Sequence, residues 1–369
     1  MPRLKVLISG AGIAGNALAF WLSKLRHSVT VDLRGHGIEV LKRMGLESAS
    51  HSKAVPERGM QIVDSSGRPG GALTSLRGNR KMMARNRTGI HDGHFDIFVG
   101  ADGQRSRTRE VMLGSDAEDT FHALDEYTAY FTIPRPINDG EEYTATTYSA
   151  PRGRFILTRG HDPQRIQVYI TGKSVTERLK TVQRGDVGEE KKVFAEVFRG
   201  AGWQADTIIE SLMGAEAFYC ESQGLVKLDS WYKGHVVLLG DAAYCPSAST
   251  GMGTSSAFAG AYILAGEIER HCGYTLRQKR GQEATKASYT AAFQAYDDKF
   301  RPFMSQVQQG VGDPSVFDNI QWSAFTIGVL CWVMWLVSCL RLDLLEGFLS
   351  DQSVKGWELP KYDSLKSAQ

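Results

Sequence analysis

The sequence predicts an α/β fold in which a dinucleotide-binding βαβ unit is interrupted by an antiparallel sheet and then resumed. Three observations predict it. A glycine turn, GAGIAG at Gly10 to Gly15, lies between a short apolar strand and a helix; alternating strands fill the middle of the chain; and a second strand-to-helix junction begins at Val236. With 369 residues, two interleaved domains can share a sizeable core.

The elements follow in order. Leu4 to Ser9 reads as a buried strand, Ile13 to Arg26 as a helix, Ser28 to Val31 as a short strand and Ile38 to Met44 as a helix. From Gly67 to Gly93 the chain is rich in Gly, Arg and Asn without periodicity and reads as loop. His94 to Val99 is a strand, followed by a helix near Arg105 to Met112. Residues 127–133, 143–148, 154–158 and 166–171 alternate as strands of an antiparallel sheet, the expected substrate layer. Val236 to Leu239 is a strand, Gly253 to Arg270 a helix with small residues on one side, and 288–309 and 320–349 are helical stretches. The domains are therefore discontinuous: 1–120 and 231–310 for the nucleotide, 121–230 for the sheet, and 311–369 for an apolar helix and tail.

Composition narrows the function. Net charge is +2 with scattered basic residues, which argues against a nucleic-acid partner. Five cysteines without CxxC or His/Cys ligand spacing argue against a disulfide framework or a zinc site and for a reducing compartment. The opening MPRLKVLISG reads as a strand and not as a secretory signal, so a cytoplasmic location is expected.

Three motifs carry chemistry. In GAGIAG, Gly10 permits the tight turn, Gly12 lets backbone approach a pyrophosphate, and Gly15 lets helix and strand pack closely. The following helix N-terminus offers unpaired N–H groups to phosphate. The second motif, GADGQRSRTR at Gly100 to Arg109, contains DGxxSxxR as Asp102, Gly103, Ser106 and Arg109. The third runs from Gly240 as GDAAYCPSASTGMGTSS. Asp241 sits there at the carboxyl end of a strand, where α/β sheets bind ligands, and can accept hydrogen bonds from a polyol chain. Thr250 to Thr254, including Gly251, Gly253 and Thr254, offers N–H groups to an electron-rich carbonyl edge. Each motif by itself also reads as an ordinary loop-to-helix junction with an Asp cap.

Together, GAGIAGNALAFWLSKL, DLRGHGIEVLKRMGL, FVGADGQRSRTR and GDAAYCPSASTGMGTS resemble the FAD-dependent aromatic hydroxylases, the group A flavoprotein monooxygenases. The resemblance is to fungal secondary-metabolism monooxygenases related to tetracycline-inactivating flavoenzymes, and it spans nearly the whole chain. It implies a Rossmann-like FAD-binding domain, NADPH as co-substrate, dioxygen, and hydroxylation, or else epoxidation, of a small electron-rich substrate of aromatic or polyketide type. It implies FAD contacts from the glycines, Asp102, Arg109, Asp241 and the Thr250–Thr254 run, and from Asp32 and Arg34 of DLRG. Since the cofactor carries the oxygen transfer, no catalytic protein residue and no metal are expected. His36 is an acid–base candidate or a loop residue.

The chain departs from that pattern twice. HSVTV runs straight into DLRGHG, so Asp32 reads by spacing as a ribose ligand and by its neighbours as a residue beside the flavin ring. After Gly67 only a short segment separates the two sheets; Arg77, Arg80, Arg85 and Arg87 lie in it as FAD contacts or solvated charges. Both losses fall on the adenosine half of the site. The alternative to an active monooxygenase is accordingly a FAD-poor scaffold or binding protein.

From Asn319 to Leu340 no charge occurs. As a helix the 18 residues SAFTIGVLCWVMWLVSCL would span about 27 Å, against about 30 Å for a bilayer core. Packing on the domain, membrane-surface contact through 323–340, and spanning are the three readings.

Overall fold

The computed structural model describes residues 4, 6–23, 57–63, 69–74, 95–114, 120–136, 143–182, 185–215, 217–272, 286–312 and 354–366. The chain opens with β1 (Val6–Ser9) and α1 (Ile13–Ser23), then β2 (Glu57–Val63), β3 (Pro69–Thr74), β4 (Ile97–Gly100) and α2 (Arg107–Leu113). Four long strands follow: β5 (Phe121–Pro134), β6 (Tyr143–Ala150), β7 (Arg154–Asp162) and β8 (Arg165–Gly172). Next come α3 (Lys173–Leu179), α4 (Val187–Phe198), α5 (Ala205–Gly214) and β9 (Tyr219–Val226). The chain continues through β10 (Tyr232–Lys233), β11 (Val236–Leu238), α6 (Asp241–Tyr244), α7 (Gly253–Cys272), α8 (Lys286–Val307) and α9 (Asp363–Lys366).

The first sheet has the order β1-β4-β11-β10. Its first three strands are parallel, and they are short apolar runs because both faces are covered. Ile97, Val99, Val237 and Leu238 are fully buried in one core with Leu18 of α1 and with Ile263 and Leu264 of α7. Small residues let these layers approach. A Cβ on Gly260 would lie 2.0 Å from the Tyr244 hydroxyl, and one on Gly266 would lie 2.5 Å from the Tyr362 ring. Three distant segments thus form one module, and the interleaving read from the sequence is the observed topology.

The second sheet has the order β3-β2-β6-β7-β8-β5-β9, antiparallel except for the parallel pair β2 and β6. One face packs on α3, α4 and α5. Ala129, Phe131 and Ile133 of β5 alternate onto it with Ile166, Val168 and Ile170 of β8, against Phe194, Phe198 and Leu212. The opposite face carries Thr128 and Tyr130, Tyr169, and Tyr219 and Glu221 in cross-strand register.

The sequence reading needs correction in two places. Residues 69–74, read as loop, form β3, and its partner β2 was not foreseen; both belong to the second sheet although they fall within the stretch assigned to the first. Glycine and proline hide a strand here because pairing supplies what the side-chain pattern lacks, and Pro69 sits at the start of an edge strand, where no ladder N–H is needed. Helices α3 to α5 and strand β9 were also missed. The expected strand at 28–31 and the helices at 38–44 and 320–349 lie outside the described residues.

Candidate cofactor site

Strand register puts the three motifs at one edge. Ser9 of β1 pairs with Gly100 of β4, which pairs with Leu238 of β11, so all three chains leave the sheet at the same level. Two further bonds carry the alignment one residue on: Ala101 N–H donates to Ser9 O at 2.7 Å, and Leu239 N–H donates to Gly100 O at 2.9 Å.

The glycines of the first motif divide by role. Gly10 has φ +115°, and a Cβ there would lie 2.1 Å from the Ala101 carbonyl oxygen. A Cβ on Gly15 would lie 2.0 Å from Gly10 O, so bare backbone is required where α1 crosses β1. Gly12 faces open space, with nothing within 4 Å of its absent Cβ. Gly253, the first residue of α7, is open in the same way, and Gly251 just before it is left-handed at φ +63°. The open positions are therefore the ones at which a ligand backbone or ring can approach two helix N-termini.

The second motif is internal carpentry. Asp102 Oδ1 accepts from Ser106 Oγ at 2.5 Å, and Oδ2 accepts from Thr108 N–H and Oγ1, each at 3.0 Å. Ser106 caps α2 by accepting from Arg109 N–H at 2.9 Å. The Arg109 side chain, 4% exposed, donates from Nη1 to Ala242 O at 3.0 Å and from Nη2 to Gln104 O at 2.8 Å. Burial lowers its pKa. Asp102 and Arg109 thus hold the motif loops in place: both Asp102 oxygens and both Arg109 Nη atoms have protein partners, while Arg109 Nε is buried without one.

Asp241 is different. The residue keeps exposed surface at the rim of the site, and its side chain makes no hydrogen bond or ion pair among the described residues. Yet protein encloses it on most sides, and that loss of solvent, with the charge of Glu221 second, raises its pKa to about 6. An unengaged carboxylate next to Gly240, which lies against Ala14 of α1, is what a polyol-bearing dinucleotide would meet at this sheet edge. The residues present fit FAD on the side of Gly12, Asp241, Gly251, Gly253 and Thr254. Asp32, Arg34, His36 and the four loop arginines lie outside the described residues.

The sequence reading missed two glutamines. Gln104, within the second motif, donates from Nε2 to Ser222 O on β9 at 2.8 Å. Gln223, 5% exposed, ties β9 to the Ser247–Thr250 turn. Gln104 sits inside the second motif, whereas the alternation Tyr219, Glu221, Gln223 was the only sequence signal for Gln223. Next to them Tyr130 stacks edge-on with Tyr169, ring centres 5.2 Å apart, and lies 6.0 Å from Tyr219. Burial raises the Tyr130 phenol to about 12, partly offset by its hydrogen bonds.

Known proteins share this architecture. Over 433 aligned positions, 99% of each chain, the sequence is 39% identical to the FAD-dependent monooxygenase asL4 of Sarocladium schorii. It is 33% identical over 381 positions to the flavin-dependent monooxygenase eupH of a Phoma species, covering 83% of this chain and 85% of that one. Its fold is similar to the crystal structure of the tetracycline destructase Tet(55), with a TM-score of 0.66, 21% identity, 98% of this chain and 100% of that chain covered. No family model matches the chain. An alignment of 433 positions against a chain of 369 residues leaves dozens of positions without a residue here.

Proposed function

The chain belongs to the FAD-dependent monooxygenases, and we propose from this premise that it takes electrons from NADPH to hydroxylate a small electron-rich molecule of aromatic or polyketide type. One observation carries the reading: three motif loops leave one sheet edge in register, with Gly12 and Gly253 open and the Asp241 carboxylate unengaged. FAD, when bound, supplies the oxygen-transfer chemistry. The chain's own residues do the rest. The N-termini of α1 and α7 receive anionic and carbonyl groups, Asp241 accepts from hydroxyls, and Arg109 fixes the second motif against the third. The tyrosine face of the second sheet, with Tyr130, Tyr169 and Tyr219, forms a wall that stacks on a planar substrate and shields it from water. Purified protein with NADPH, a phenolic probe such as resorcinol and labelled dioxygen tests this. Label in the product supports the reading, and label arriving from water overturns it.

A second reading, a FAD-poor scaffold, is favoured by the break around Asp32 and by the unmatched positions in the alignment with the Sarocladium enzyme. Flavin content of the purified protein separates the two.

We also propose that residues 323–340 meet the protein or one membrane leaflet. Among the described residues no helix is long and apolar enough to cross a membrane, and 323–340 lie outside them. The described residues on both sides of that stretch return to one place. Gln306 of α8 donates to Lys355 O at 3.2 Å, and Trp357 Nε1 donates to Lys299 O at 2.8 Å. A single crossing would put these partners on opposite sides of a bilayer.

A further inference from the structure

Ser247, a non-glycine residue, has φ 65° and ψ 148°, a conformation that L residues rarely adopt and that persists only when its surroundings enforce it. It begins the turn Ala248–Thr250, which leads through left-handed Gly251 into α7. Gln223 provides the enforcement. Its Oε1 accepts from Ser247 Oγ at 3.2 Å and from Ala248 N–H at 3.1 Å. Its Nε2 donates to Thr128 Oγ1 at 3.1 Å and to Tyr130 Oη at 3.3 Å. Both donor hydrogens and both acceptor lobes of one buried amide are thus engaged, two on the cofactor turn and two on the tyrosine face of the sheet. The turn has other supports, since Thr250 Oγ1 donates to Ser247 O at 2.9 Å and Leu225 pairs with Pro246. Gln223 alone joins it to Tyr130 among the bonds described.

We propose that Gln223 is a positioning residue that couples the tyrosine face of the second sheet to the strained Ser247–Thr250 turn, so that what contacts Tyr130 alters how the turn is held beside the cofactor. The inference rests on the proposed function for its meaning, but the coupling is a property of the chain itself. Because both ends converge on one planar amide, a shift of the Tyr130 hydroxyl is transmitted without an intervening flexible side chain. Replacing Gln223 by Glu keeps one acceptor oxygen for the turn and presents the other to the sheet, where the Tyr130 hydroxyl can donate to it. Replacing it by Leu removes both grips.

Hydrogen exchange over the peptide 246–252 tests the coupling in wild type, Gln223→Leu, Gln223→Glu, Tyr130→Phe and the Gln223→Leu/Tyr130→Phe double variant. The expected result is exchange about tenfold faster in Gln223→Leu and about threefold faster in Tyr130→Phe, with no further gain in the double variant. Gln223→Glu returns within about threefold of wild type. A general loss of stability would give additive effects and no rescue. FAD titration gives a parallel readout, with affinity about tenfold weaker in Gln223→Leu and restored in Gln223→Glu. Unchanged exchange in Gln223→Leu, or a Tyr130→Phe effect that is the same with and without Gln223, overturns the proposal. If Gln223→Leu does not fold, Tyr130→Phe with Thr128→Val severs only the sheet end, and faster exchange in the turn must still follow. Wild-type protein that holds no FAD defeats the proposed function, while the exchange pattern still decides the coupling.

Discussion

Arg109 donates from Nη1 to the carbonyl oxygen of Ala242 at 3.0 Å, joining two motifs that stand 133 residues apart in the chain. The same guanidinium holds Gln104 O from Nη2, so one buried side chain fixes the second motif, the third motif and, through the Gln104 amide on Ser222, strand β9. Arg109→Ala leaves two carbonyls without this donor and should destabilise the FAD-free protein by about 1–3 kcal/mol. Arg109→Lys should recover only part of it, since a single ammonium does not reproduce the forked geometry. Urea unfolding of the three proteins measures the difference, and equal stability would remove Arg109 from this role.

The glycines of the first motif separate folding from binding. Gly12→Ala adds a Cβ in open space and should leave the FAD-free protein within about 0.5 kcal/mol of wild type, while FAD affinity falls about tenfold or more. Gly15→Ala drives a Cβ to 2.0 Å from Gly10 O and should destabilise the fold itself. Calorimetry of the FAD-free variants beside FAD titrations checks both halves. Tight FAD binding by Gly12→Ala would mean that the ligand does not approach this turn.

Asp241 predicts a pH dependence with a definite sign. Its pKa is raised in the folded state, so between the unfolded value of 3.8 and about 6 the native protein holds more of this proton. The site's contribution to stability therefore declines as pH rises through that window. Asp241→Asn should abolish that component, and Glu221→Gln should shift it toward lower pH. Where the ionised carboxylate accepts from cofactor hydroxyls, FAD affinity should weaken as pH falls below about 6 in wild type and stay flat in Asp241→Asn. Asp241→Ala should lower FAD occupancy without unfolding the protein. Unchanged FAD affinity in that variant would exclude Asp241 from the site.

If the breaks read at Asp32 and after Gly67 remove contacts from the adenosine half, FAD should be weakly retained. Losing one charge-assisted contact to a phosphate or ribose forfeits about 1.5–3 kcal/mol, roughly tenfold in affinity or more. Protein purified with FAD should lose it on dialysis and regain it at excess cofactor. Stoichiometric FAD after dialysis would show that Asp32 or the loop arginines make up the loss.

The apolar stretch is testable without disturbing its anchors. Deleting 323–340 while keeping the segment from Val354 onward preserves the Trp357 and Tyr362 contacts on α8 and α7. Release from a membrane fraction with unchanged unfolding indicates leaflet contact, whereas a soluble parent and a destabilised deletion indicate packing on the protein.

The sequence by itself determined the cofactor module. Motif glycines, short apolar strands and a small-residue helix are local signals, because a tight turn and a close crossing constrain the residue at the spot. Gly12 and Asp241 were also legible, since each follows a parallel strand of the first sheet, where α/β folds receive ligands. Tertiary structure alone decided the remainder. The β2–β3 hairpin exists through pairing to β6 and not through its own glycine-rich pattern. Asp102 and Arg109 belong to a motif expected to contact the cofactor, yet their partners Thr108, Gln104 and Ala242 make them supports of the loops. Gln223 has no motif at all. Its role comes from long-range strand register, which sets Tyr130 opposite Tyr219 and brings Thr128 and the Ser247 turn within reach of one amide. Hydrogen bonds between residues 24 and 95 positions apart leave no trace in either neighbourhood, so only the folded chain shows them.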